Sequence, residues 1–296
     1  MWELSLARFV IGVVFLSAAA IKDFRTREVE NELWITMGII GMIILAVELV
    51  LVRKARWEFL LIFIPIGVIF SEAFIDRPPV ISNDGFNPLV FGWLILPLIV
   101  FIYMASVLSD RLLFWSLTMI LAVMLLAFLF YFLYILHGGA DAKAVITLAI
   151  LLPFYPELPG FTLTWISAEM FPIMEVFFPF TLIVLLNSSL LILIFPLSSF
   201  FFNLFKGDID IPKMFFGYKK RVKDLEDSFV WPMQYYENGK IKTELFPRSG
   251  TDEKFESLKD HDVEEVWATP KIPFMVPMVF GFVLSFIIGN PVMYVL

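Results

Sequence analysis

Apolar residues in this chain gather in long runs that stop at charges. The runs lie near Leu4–Ile21, Leu33–Val52, Phe59–Phe74, Leu89–Leu108, Leu112–Leu136, Ala144–Phe154, Ile173–Phe205 and Ile272–Leu296. A hydrocarbon core about 30 Å thick is crossed by about 20 apolar residues in a helix, so the pattern predicts eight transmembrane helices. The sixth run is short, and its helix is expected to begin earlier, near Gly138 or Asp141, sheltered by neighbouring helices. The seventh exceeds what a bilayer needs and holds Pro179 and Pro196, so it should tilt, kink or project. No basic leader precedes the first run and a charged loop follows it, so it reads as a retained span rather than a signal peptide.

Between Lys206 and Lys271 the pattern changes. This stretch carries 12 of the 22 Lys+Arg and 14 of the 29 Asp+Glu. Its segments Phe229–Tyr236 and Lys240–Phe246 flank Glu237-Asn238-Gly239, which predicts a β-hairpin with an Asn-Gly turn. The expected organisation is a membrane domain over 1–205 with about seven spans, a small soluble domain with β-structure over 206–271, and a final transmembrane helix over 272–296. The fold class is then all-α, polytopic, with a small cytoplasmic appendage.

Composition sharpens this. Hydrophobic residues make up 59% and Phe alone numbers 34, with mean hydropathy +0.84. A soluble domain has roughly 45–50% apolar residues, so the bilayer is the solvent here. No cysteine is present, which excludes thiol nucleophiles, disulfides and thiolate metal sites. The net charge of −7 comes without an extended basic tract, so lipid and other membrane proteins, not nucleic acid, are the expected partners. With the N-terminus outside, the inside loops hold Lys22, Arg25, Arg27, Arg77, Lys143 and the soluble segment's positive charges; the outside loops hold Arg53, Lys54, Arg56 and Arg111. That bias puts the soluble domain in the cytoplasm, although Arg53-Lys54-Arg56 pull locally the other way.

Two aspartates stand where chemistry could occur. Asp23 closes the first span and Asp141 opens the sixth. Four further spans separate them, an even number of crossings, so both reach the same face. Two carboxylates held together at the mouth of a bundle cannot both ionise cheaply. They share a proton, and one can act as base on a water while the other polarises a carbonyl. A single Asp at a helix end is more commonly a solvated charge. The residues themselves leave three readings open: peptide hydrolysis, a proton- or ion-coupled transporter binding its ion at Asp23 and Asp141, and a structural platform in which the acids are expendable. Other intramembrane protease chemistries fail on their residues. His137 and His261 lack a His-Glu-x-x-His context. Ser188 and Ser189 lack a Gly-x-Ser site with a membrane His, and no Pro-Ala-Leu motif of the presenilin type occurs late in the chain.

Gly138-Gly139-Ala140-Asp141-Ala142-Lys143 resembles the Gly-x-small-Asp-x-Lys motif of the prepilin and archaeal preflagellin peptidases. Lys22-Asp23-Phe24-Arg25-Thr26-Arg27-Glu28-Val29-Glu30-Asn31 resembles their first motif, and Glu264–Pro273 resembles a stretch of the archaeal enzymes specifically. The resemblance implies a GxGD-type intramembrane aspartyl endopeptidase that removes the short basic leader of flagellin-like and pilin-like precursors on the cytoplasmic side. Asp23 and Asp141 would be the catalytic pair, with Gly138, Gly139 and Lys143 as motif residues. The chain departs from the family pattern at Ala140, often Gly, and in having four spans between the aspartates where six-span archaeal enzymes have two. The paired cysteines of the methylating bacterial enzymes are absent, so methylation is not implied. No metal or cofactor is called for. His137, four residues before Asp141, either tunes it or is merely solvated. Glu28, Glu30 and Glu32 either meet a basic leader or form a wet face that balances Arg25 and Arg27. The Phe-rich stretches at Phe177-Phe178 and Phe200-Phe201-Phe202 read as lipid-facing or packing residues.

Overall fold

The computed structural model describes residues 2–82, 85–136, 138–158, 171–225, 228–237, 239–247, 251–261, 263–271 and 273–294. Its contacts divide the chain into two units, Met1–Ser188 with Phe274–Leu296, and Ser189–Pro273.

The first unit is helical. Its elements are α1 (Trp2–Thr26), α2 (Asn31–Val47, continued by a π-helical turn over Glu48–Val52), a 3₁₀ turn (Trp57–Ile62) leading into α3 (Phe63–Glu72), a two-residue β1–β2 pair (Ile81–Ser82 and Gly85–Phe86), α4 (Pro88–Leu108), α5 (Leu112–Phe132), α6 (Gly139–Leu151), α7 (Phe171–Phe177), the start of α8 (Phe180–Ile192) and, late in the chain, α12 (Met275–Ile288). Five stretches among the described residues are long and apolar enough to cross a membrane: Trp2–Thr26, Asn31–Val52, Pro88–Leu108, Leu112–Phe132 and Phe180–Lys206. The other three predicted spans are shorter helices. At 1.5 Å per residue, α6 and α12 rise about 20 Å, less than a full hydrocarbon core.

Burial explains the arrangement. From Ala144 to Leu151 every α6 residue is buried, as suits a helix that is apolar all round. It packs against α2 and α5, while α1 packs chiefly against α12. Small residues let these helices approach, which matters where lipid supplies no hydrophobic drive between them. A Cβ at Gly41 of α2 would lie 3.2 Å from the Leu151 backbone, and one at Gly12 of α1 would meet the Phe282 ring of α12 at 2.2 Å. In contrast α4 buries Met104 and Leu108 and exposes most of its length, a surface suited to lipid.

The second unit begins with the end of α8 and α9 (Ile194–Lys206), and continues with α10 (Lys213–Phe216), β3 (Tyr218–Arg221), β4 (Val230–Pro232), β5 (Gln234–Glu237), β6 (Lys240–Thr243), α11 (Thr251–Lys259) and β7 (Glu265–Pro270). Strand β7 is central in an antiparallel sheet ordered β3-β7-β4, and β5 pairs with β6 with Glu237 opposite Lys240. The predicted hairpin is therefore present, with Gly239 at φ +80°; Asn238 lies outside the described residues. The segment Phe229–Tyr236 is not one strand but two, feeding different sheets. Helix α9 turns its polar stripe inward: the Asn203 side-chain amide donates to the carbonyls of Met214 (2.9 Å) and Gly217 (2.7 Å). Phe200 stacks on Phe215 at 4.9 Å, while Phe201, Phe202 and Phe205 are exposed.

Candidate functional site

Asp23 sits in the last turn of α1, four residues before the backbone turns at Arg27 with φ +62°. Its Oδ2 accepts a hydrogen bond, 3.3 Å long, from the backbone N–H of Met275, the first residue of α12. That amide belongs to the first turn of a helix, where N–H groups have no intrahelical acceptor and an acid satisfies one of them. Residues 252 positions apart are thereby joined at one carboxylate.

Asp141 is the third residue of α6. Its Oδ2 reaches back and accepts from the N–H of Gly138 at 3.2 Å, the return half of a capping box. Gly138 has no side chain to make the forward half. A Cβ there would lie 3.0 Å from Asp141 Oδ2 and 3.3 Å from its Cγ, so glycine leaves the carboxylate its place. The approach that glycine permits at 138 is that of Asp141's own carboxylate, within the motif. Gly139 meets nothing within 4 Å, and the structure gives no steric reason for it.

Helices α1 and α6, which carry the two acids, touch. Both aspartates are half-buried residues. Lys143, two residues beyond Asp141 on α6, donates from Nζ to Asn31 Oδ1 at 2.7 Å and lies 5.5 Å from the centre of the Phe74 ring. The bond to Asn31, first residue of α2, ties the second motif to the end of the first. Beside Asp23 a cleft of about 350 Å³ is lined by Ala20, Ile21, Phe24, Arg25 and Val276. It is apolar apart from Arg25.

Glu28, Glu30 and Glu32 are all exposed. Glu30 is already engaged, with Lys22 Nζ 2.5 Å from its Oε2, a partner different from Arg25 and Arg27. His137 lies outside the described residues. Among those described, no group of three or more His, Cys, Asp or Glu side chains could hold a metal ion.

Sequence reasoning passed over a second set of charges in this unit. Arg8 and Glu48 lie inside runs read simply as apolar spans, yet Arg8 Nη1 is 2.5 Å from Glu48 Oε2 and both side chains are about 5% exposed. The signal was there: a charge inside an apolar run needs a partner, and these two have opposite sign. Arg53, counted as a loop charge, joins them, its Nε 2.8 Å from Glu48 Oε1.

Comparison with known proteins adds a family. The family described as Archaeal Peptidase A24 C-terminus Type II matches residues 210–290. Near-full-length similarity links the chain to three proteins named preflagellin peptidase. That of Methanococcus voltae is 22% identical, with 97% of each chain covered. That of Methanocaldococcus jannaschii is 24% identical, covering 96% of this chain and 94% of the relative. That of Methanococcus maripaludis is 24% identical, with 96% of each covered.

Proposed function

We propose that this chain, related over nearly its whole length to the archaeal preflagellin peptidases, is itself a membrane peptidase of the aspartyl type that processes preflagellin-like or pilin-like precursors. What supports this reading is that α1, with Asp23 in its last turn, touches α6, with Asp141 in its first, and that each carboxylate is steadied by one backbone N–H. Two acids held side by side share one proton. The ionised carboxylate takes a proton from a water whose oxygen attacks the scissile carbonyl carbon, and the protonated one gives its proton to the carbonyl oxygen. The tetrahedral adduct then collapses, the C–N bond breaks, and the departing amine receives the proton taken from water. Donors already fixed on one oxygen of each acid, Met275 N–H and Gly138 N–H, hold the carboxylates in orientation and leave their second oxygens for water and substrate.

Eight crossings with the N-terminus outside set Asp23, Asp141 and residues 206–271 on the cytoplasmic side; α3, α6 and α12 complete the count as short spans. The domains are then the membrane domain 1–205, the soluble domain 206–271 and the last helix 272–296. The substrate's short basic leader would face Glu28, Glu30 and Glu32, and its apolar segment would enter the bilayer past Ala20 and Phe24. A transporter would hold its acids near mid-membrane on broken helices, whereas Asp23 and Asp141 stand at helix ends.

The test incubates the purified protein with a preflagellin-like precursor and maps the cut by mass spectrometry, with Asp23→Asn and Asp141→Asn alongside. A single cut after the basic leader, lost in both variants, is expected. Undiminished cleavage by either folded variant would remove the aspartyl mechanism. A reporter inserted within 237–240 should read as cytoplasmic; an extracytoplasmic reading would overturn the topology.

A further inference from the structure

Far from the aspartates, along α1 and beyond the end of α6, lies a buried chain of charges. Arg8 belongs to the α1 stripe that faces inward, with Ser5, Gly12, Leu16 and Ala19. It pairs with Glu48, and Glu48 with Arg53. The π turn makes this possible. Arg53 N–H bonds to the carbonyl of Glu48 at 2.8 Å, an i→i+5 closure, which sets the Arg53 side chain above Glu48 where α-helical spacing would have swung it aside. The Arg53 guanidinium then lies 3.8 Å from the centre of the Phe154 ring, three residues past the end of α6. A second tie runs beside it: the N–H of Glu157 donates to Ser5 Oγ at 3.0 Å.

Followed through, the chain starts on the helix that carries Asp23 and finishes on the exit of the helix that carries Asp141. Fifteen residues separate Arg8 from Asp23, about 22 Å of helix, too far for these charges to touch a substrate at the acids. Near the acids, α1 and α6 are joined by no hydrogen bond that the structure records between Asp23 and Asp141 themselves. A helix that packs chiefly on α12 therefore owes its setting against α6 in part to what holds its other end. Buried ion pairs are poor sources of net stability, since losing hydration offsets much of their attraction, and apolar replacements of similar size are often neutral.

We propose that Arg8, Glu48 and Arg53, closed on Phe154, form a positioning bracket that fixes the spacing of Asp23 and Asp141 from the opposite end of their helices. The three are positioning residues, acting through α1 and α6. The kinetic part of this inference rests on the proposed peptidase activity; the geometric part does not.

The absence of cysteine supplies a clean reporter. In the full-length protein, Asp23→Cys with Asp141→Cys gives a pair whose oxidation to a disulfide measures how often the two helix ends meet. Adding Arg8→Met with Glu48→Met should slow that oxidation several-fold while the melting temperature in detergent stays near the parent's. With the aspartates intact, the same double change should lower kcat about tenfold and leave KM within about twofold, since displacements of an ångström at reacting groups cost this much or more. Arg8→Lys, which keeps the charge, should recover part of both losses. Should the double variant fail to fold, Arg53→Lys serves in its place: it keeps a charge for Glu48, loses the planar face on Phe154, and should slow oxidation and kcat in the same direction. A folded variant with parental oxidation rate and parental kcat overturns the bracket, as does a fall in kcat that tracks the fraction of unfolded protein. If the parent cleaves no precursor, the peptidase reading fails, and the oxidation rates still decide the bracket.

Discussion

The helical unit treats charge in opposite ways at its two ends. Around Arg8, opposite charges are buried and matched, so that Glu48 is held by two cations. Around Asp23 and Asp141, each carboxylate is steadied by a neutral backbone N–H. Ion pairs fix a geometry, whereas a carboxylate held by a neutral donor can still take up or release a proton. On the proposed peptidase reading, the difference separates a part that holds from a part that reacts.

The sharpest way to break this contrast is to neutralise the reacting end. Asp23→Asn or Asp141→Asn should each reduce precursor cleavage by at least about a thousandfold, and the pair together should be little worse, because groups acting as a unit are not additive. Single-turnover rates on folded protein in detergent check it, and additive losses would mean two independent roles. Next comes the holding end. Glu48→Gln leaves Arg8 buried without its counter-charge and should destabilise the fold by roughly 3–5 kcal/mol, whereas adding Arg8→Met should return most of that. Thermal unfolding of the three proteins reads it directly, and a Glu48→Gln protein as stable as the parent would contradict the matched-charge reading.

A smaller effect is expected where the two treatments meet in one motif. Gly138→Ala places a Cβ 3.0 Å from Asp141 Oδ2, so the carboxylate must turn; kcat should fall about tenfold with stability almost unchanged. Loss of folded protein instead of rate would make Gly138 a packing residue. The smallest effect concerns the exposed acids. Glu28, Glu30 and Glu32 changed together to Gln should abolish a preference for basic over neutral leaders, a preference of about 1 kcal/mol or less that salt should already weaken in the parent. Competition between two leader peptides at two ionic strengths measures it, and Glu30, paired with Lys22, should contribute less than its neighbours.

The reacting end was the more legible from sequence, for a physical reason. Asp23 and Asp141 sit at helix ends in short local motifs that can be read without any knowledge of packing. Met275 was invisible, because its contribution is a backbone amide that any residue could supply at that point of α12. The holding end was hidden by averaging: Arg8 and Glu48 are single charges in windows whose mean hydropathy still reads as apolar, and only packing shows that they meet. Arg53 follows the π turn over Glu48–Val52, and its reach back to Glu48 went unseen because an i→i+5 closure is not an α-helical spacing. In the second unit the Asn-Gly turn signal suited β5–β6, but β7 buries Val266, Trp267 and Ala268 in succession, a pattern expected of a strand covered on both faces.

The bond from Met275 to Asp23 also sets an order in time. A ribosome delivers Asp23 early, Asp141 halfway and Met275 near the close of synthesis, so the amide that steadies the first acid arrives only when the last helix has entered the bilayer. Until then the nascent chain carries both acids without the donor that orients one of them, so that on the proposed peptidase reading hydrolysis would wait for the last of the three to be made.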